Sequence, residues 1–243
     1  MAKIDAKGRP QGKYLNSVFR IVDNKVIMQG KPSKQKQTKN TKQAATDFGT
    51  VQKCNRQLRY LIQLAMNNNH CKKMHLRMNT LALAQLRNNE VFPLGQRTYF
   101  NTDLSGMVGF DFNTNTPFGE YCTLPITFQK LDSHKTRISI DTFTINDYFN
   151  FEDNTSEIKV ELFIQYHQLN YQEIHKTESI SFTVKKGEIL SAKEWVIQNT
   201  LESSITLVIG QLWYLKQTLT GQYIMINNRE FHPSSILYLD NGL

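Results

Sequence analysis

Cys71 and His75 stand four residues apart, with His70 beside them. On a helix that spacing can put two metal ligands on one face, but a zinc site needs three or four, and no further ligand presents itself nearby. A half-buried thiol and surface histidines is the better reading. Asp147, Glu152, Asp153 and Glu157 cluster in "NDYFNFEDNTSE". Paired carboxylates can hydrolyse glycosides or hold calcium. The stretch lacks the alternating acid spacing and the loop glycine of an EF-hand, so it reads as a solvated loop between strands. For nucleophilic catalysis there is no G-x-S-x-G and no Cys or Ser with a base signalled nearby. His134, His167, His175 and His232 are scattered and read as surface or internally satisfied histidines. Neither glycine-rich phosphate loop occurs. No catalytic, metal-binding or cofactor-binding residue is therefore assigned, and the chain reads as a non-enzyme.

The remaining chemistry is electrostatic. "KPSKQKQTKNTKQAAT", residues 31–46, carries Lys31, Lys34, Lys36, Lys39 and Lys42 and no acid. Residues 1–90 hold 18 Lys and Arg against 4 Asp and Glu; residues 91–243 hold 11 against 17, for a net charge of +8. A basic N-terminal third on a mildly acidic remainder points to a polyanion, or to an acidic surface on a neighbouring copy. The interaction residues this suggests are Lys31, Lys34, Lys36, Lys39 and Lys42 of the arm, followed by Lys53, Arg56 and Arg59.

These residues need elements to position them. "MAKIDAKGRPQGK", broken by Gly8, Pro10 and Gly12, reads as a tail. "SVFRIV" and "KVIMQG" flank Asp23-Asn24 and read as a hairpin with a two-residue turn. An isolated hairpin is marginal in water and must dock on something larger. From about Thr41 the apolar residues Ala44, Ala45, Phe48, Val51, Leu58, Leu61, Ile62 and Ala65 recur at helical steps, with Lys53, Arg56 and Arg59 mainly off that stripe. "NNNH" ends this helix. A second runs from about Cys71 to Arg87, with Pro93 a firm stop.

After about Thr98 the period changes to two. "SEIKVELFIQYHQ" alternates Ile158, Val160, Leu162, Ile164 and Tyr166 against Lys159, Glu161, Gln165 and His167. "ESISFTV" follows the same pattern, "TRISIDTF" and "GMVGFDF" alternate more weakly, and "SSITLVIGQLWYLKQ" reads as a strand covered on both faces. "QYIMINN" and "SSILYLD" close the chain. Phe110, Phe112, Phe118, Tyr121, Phe128, Phe143, Tyr148, Phe149 and Phe151 could form a stacking platform for sugars or bases, but read better as core.

The expected architecture is mainly β: an antiparallel sandwich or barrel preceded by a hairpin, a basic arm and a helical hairpin. Its segments are 1–40 (tail, hairpin and arm), 41–90 (helical hairpin) and 98–243 (sandwich). No apolar run approaches the roughly 18 residues that span a bilayer, and no signal-peptide core is visible. Cys54, Cys71 and Cys122 are widely spaced and read as reduced thiols, so the expected location is the cytoplasm as synthesised, with incorporation into a larger particle. The expected function is a structural, assembly subunit, virion-like or filament-like, whose basic extension contacts copies of itself. Sequence-nonspecific nucleic-acid binding is the alternative, and a carbohydrate-binding sandwich the second alternative.

Overall fold

The computed structural model describes residues 2–31, 36–169 and 175–243, and the chain divides into two compact units, Met1–Lys42 and Gln43–Leu243. The first is an antiparallel meander of β1 (Lys3–Ile4), β2 (Pro10–Tyr14), β3 (Ser17–Val22) and β4 (Lys25–Gly30), paired in that order. The β3–β4 turn is the expected one: Asp23 and Asn24 both have positive φ, at 47° and 65°, which closes a two-residue hairpin with the twist of its strands. The stretch read as a tail supplies β1 and β2. Asp5 makes this possible, since its Oδ1 accepts the Lys7 and Arg9 N–H groups and its Oδ2 pairs with Arg9 Nη2 at 2.7 Å. Gly8, at φ +75°, completes that turn.

The second unit takes in most of α1 (Lys39–Ala65), then α2 (Met74–Asn88) and the short α3 (Phe118–Tyr121). Its strands are β5 (Ile126–Lys130), β6 (Lys135–Ile140), β7 (Phe143–Thr144), β8 (Glu157–His167), β9 (His175–Lys185), β10 (Ile189–Leu190), β11 (Lys193–Gln198), β12 (Ile205–Gln217), β13 (Tyr223–Met225) and β14 (Ser234–Asp240). They form a five-stranded sheet, β13-β12-β8-β9 with β14 also on β12, a three-stranded sheet β11-β6-β5, and the ribbon β10-β7. Among the described residues the pairing is antiparallel throughout and no sheet closes into a barrel.

Strand alternation builds three layers. Ile158, Val160, Leu162, Ile164 and Tyr166 of β8 and Val208, Leu212 and Tyr214 of β12 pack with Ile138, Ile140 and Ile197 of the smaller sheet. The opposite face of β12 turns Ile205, Leu207 and Ile209 into a cluster with Ile236 of β14 and with Val51, Leu58, Ile62, Met74, Met78 and Leu86 of the helices. Each such buried side chain contributes roughly 2 kcal/mol, so the two helices complete the core of the larger sheet. They also explain why Gln165 and His167, on the face read from sequence as polar, are buried. Burial of α1 starts only at Asp47: Ala44, Ala45 and Phe48, the first part of its apolar stripe, stay exposed.

"GMVGFDF" is not a strand. Gly106 lies against the Gln85 amide, which leaves no room for a Cβ, and Gly109 has φ +83°. The segment instead runs beside β14, exchanging bonds between Gly109 N and Ile236 O, Ile236 N and Phe110 O, and Phe112 N and Ser234 O. Phe110 and Phe112 are thereby buried edge to face, 5.4 Å apart.

Candidate interaction site

The register of the N-terminal sheet sorts its residues onto two unlike faces. Ile4 pairs with Pro10, Gly12 with Phe19, Tyr14 with Ser17, Phe19 with Met28 and Ile21 with Val26. Paired residues share a face, so this face carries no charge. The other face holds Lys3, Lys13, Arg20 and Lys25 with Val18, Val22 and Ile27. No residue between 2 and 31 is buried: Ile4 is 75% exposed, Met28 65% and Tyr14 61%.

Beyond β4 the basic residues follow in sequence. Lys31, Lys36, Lys39 and Lys42 are exposed, and Lys34 lies outside the described residues. Thr38 starts α1, its Oγ1 accepting Thr41 N–H at 3.2 Å. The first turn has no acid and includes Lys39 and Lys42. Cations there oppose the helix dipole, whose N-terminal end attracts anions. At about 100° per residue, Lys42, Lys53 and Arg56 lie opposite the Val51–Leu58–Ile62 stripe, and all three are exposed. Arg59 does not join them. Its Nη1 donates to Asn79 Oδ1 at 3.0 Å, and burial pulls its pKa down.

Arg59 belongs to a polar seam between α1 and α2 that sequence periodicity does not reveal. Asn55 Nδ2 donates to Asn79 Oδ1 at 2.9 Å, Asn79 Nδ2 to Gln52 Oε1 at 3.0 Å, and Tyr99 OH to Asn55 Oδ1 at 2.7 Å. Asn55, Asn79 and Tyr99 are buried. A seam with these partners holds one register of the helix pair, since a slip would strand buried amides.

The residues first considered for chemistry stand apart. Cys71 precedes α2, and His75 is exposed on its first turn, so the shared helical face does not form. Cys71 Sγ accepts from Arg77 Nη2 at 3.3 Å. Burial pushes this thiol up, but Arg77 and Thr114 outweigh it and hold the thiol below its ordinary pKa. Cys54 and Cys122 are pushed up to about 12 by burial. Among the described residues no group of three or more His, Cys, Asp or Glu is placed to hold a metal. Of the acidic cluster, Asp147, Glu152 and Asp153 are exposed. Glu157 opens β8 instead, taking a hydrogen bond from Tyr223 OH at 2.6 Å and pairing with Lys185 at 3.0 Å. Five of the nine aromatics singled out, Phe110, Phe112, Phe118, Phe143 and Phe149, are buried. The other four are partly buried and pack against two of the core clusters.

The most organised polar chemistry lies under β12. Glu161 Oε2 accepts from Gln211 Nε2 at 2.9 Å and Trp213 Nε1 at 2.7 Å, and Oε1 accepts Ser179 Oγ. Gln211 Oε1 lies 3.4 Å from His232 Nε2, and His232 Nδ1 lies 2.9 Å from Asn227 Nδ2. Asn227 Oδ1 accepts Tyr214 N–H, so its other atom is the amide nitrogen and donates to Nδ1. His232 is therefore a neutral imidazole with its proton on Nε2. Burial lowers its pKa to about 4, with Glu161 pulling the other way. These residues are far apart in the chain, and no local pattern announces the network. A polar cleft of about 330 Å³ lies elsewhere, lined by His134, Asn199, Glu202 and Asp240 among others. Asn199 there is saturated by Ser204, Thr206 and Leu201.

No helix among the described residues is long and apolar enough to cross a membrane. Comparison with known protein families, with characterised proteins and with solved structures finds no match to this chain.

Proposed function

We propose that this chain is a non-enzymatic assembly subunit, shell-forming or filament-forming, whose basic N-terminal unit contacts neighbouring copies. One observation carries the reading: the four-stranded sheet has an uncharged face and buries none of its residues. A sheet becomes stable when such a face is covered. Charge supports a second copy as the partner. Residues 1–42 hold 11 Lys and Arg against 2 Asp and Glu, whereas residues 91–243 hold 11 against 17. A contact of unlike surfaces on identical subunits is heterologous, and it propagates as a ring or an open filament. Light scattering coupled to size exclusion tests the reading. The full chain should run at three or more times its 28.2 kDa mass, since a heterologous contact does not close on two copies, and a chain lacking residues 2–31 as a monomer.

A second reading, nucleic-acid binding with little sequence preference, is favoured by the start of α1. There Lys36, Lys39 and Lys42 surround a Thr38-capped helix end without an acid in its first turn. Affinity would come from phosphate neutralisation and fall steeply with salt. A fluorescence titration with random duplex and single strands across a salt series separates the two readings.

A further inference from the structure

β4 is an edge strand whose one charge, Lys25, stands at its first residue. All six of its residues are exposed, and Val26, Ile27 and Met28 form an apolar run free of proline and charge. Open edges template pairing with another chain, and proteins blunt them with charges, shortness or cover. Other edges have these devices within the strand. β9 carries Lys176, Glu178 and Lys185, and β11 carries Lys193 and Glu194. β13 has three residues, and the 109–112 segment covers β14.

The two-residue turn makes Val22 and Lys25 a hydrogen-bonded pair. Lys31 N–H donating to Asn16 O continues that alternation. Residues 25, 27, 29 and 31 thus direct their backbone groups to β3, while Val26 and Met28 present theirs to the open edge.

We infer that β4 pairs antiparallel with β4 of a second copy, about a two-fold axis through Ile27. This isologous contact goes beyond the basic-on-acidic one proposed above. In this register Val26 faces Met28 of the second copy, twice over, and the four open N–H and four open C=O groups of these residues are matched. The uncharged faces of both sheets fall on the same side. Lys25 faces Gln29 of the second copy at both ends. A shift of two residues one way sets Lys25 against Lys31; the other way, Lys25 meets Ile27. A shift of one residue puts an uncharged face beside a charged one. Each N-terminal unit is basic overall, so the pairing strengthens as salt screens the repulsion. A basic-on-acidic contact and phosphate binding both weaken under the same change.

The test uses the full chain. Ile27 sits on the axis in a non-hydrogen-bonded pair, where the two Cα atoms approach to about 4.5 Å, within the disulfide range of about 4.4–6.8 Å. Ile27→Cys should oxidise to a covalent dimer, and Lys13→Cys, on exposed β2, should not. Met28→Pro removes an N–H from the open edge without touching a β3 bond. By sedimentation it should lose the dimer while keeping its circular dichroism. The inference is overturned if Ile27→Cys cross-links no faster than Lys13→Cys, if Met28→Pro still dimerises, or if dimerisation weakens as salt rises. Assembly without an Ile27 disulfide would overturn this contact and leave the proposed function standing. An Ile27-linked dimer with no larger species would do the reverse.

Discussion

Lowering the pH from 7 to 5 should destabilise the Gln43–Leu243 unit through His232. The ring is fully buried, its Nδ1 accepts from Asn227, and burial lowers its pKa from 6.5 to about 4. Protonation would place a second N–H against an amide donor and a charge in a site closed to water. Between pH 4 and 6.5 the unfolded chain binds this proton and the folded chain does not. Stability is therefore fully present above the unfolded pKa and falls as pH drops toward the folded one. A shift of this size corresponds to about 3 kcal/mol in all, of which about 2 kcal/mol is lost between pH 7 and pH 5. At this chain length that lowers the melting temperature by about 4–8 °C. Urea unfolding followed by tryptophan fluorescence at both pH values measures it, with His232→Gln as the comparison. The variant starts less stable at pH 7 but should lose about 2 kcal/mol less on acidification, while carboxylates and the other histidines titrate alike in both proteins. Equal acid losses in the two would refute the reasoning.

Replacing Lys31, Lys34, Lys36, Lys39 and Lys42 together by Ser should leave the thermal transition of the second unit within about 0.5 kcal/mol per site. If the nucleic-acid reading holds, the same change flattens the slope of log affinity against log salt by roughly 4–5 units. Asn79→Ala leaves Asn55 and the Arg59 head without their acceptor and should cost about 2–3 kcal/mol in chemical denaturation. Cys71 should be the first thiol alkylated by iodoacetamide in the native protein, ahead of Cys54 and Cys122, and Arg77→Met should slow it; peptide mapping reads both. A fragment from Thr98 onward loses the helices that cover Leu207, Ile209 and Ile236 and should aggregate, which its solubility and dye binding report.

The elements were legible where one residue pattern decides them. Asp23-Asn24 between two β-branched runs fixes a hairpin, and the alternation from Ile158 to Tyr166 marks a half-buried strand. The β1–β2 pair was hidden because its strands are short and polar, and because the turn that joins them depends on Asp5 and Arg9 meeting across four residues. The 106–112 segment misled because its aromatics alternate as in a strand, while Gly106 and Gly109 answer to packing and backbone demands that period-two reading ignores. The lysines of the candidate interaction site were visible as a run without acids. Arg59 looked equivalent to Lys53 and Arg56, and only the position of Asn79, on another helix, separates it from them. The Glu161–Gln211–His232 chain joins β8, β12 and the loop before β14, so nothing local in the sequence could have assembled it.

The measurement that bears most directly on assembly through the N-terminal unit is the solution mass of two chains side by side, the full protein and one lacking residues 2–31. Light scattering across a concentration series should give three or more times 28.2 kDa for the first and a single-chain mass for the second, with both retaining a cooperative thermal transition. A full chain no larger than a dimer, or a shortened chain that assembles just as far, would contradict the account.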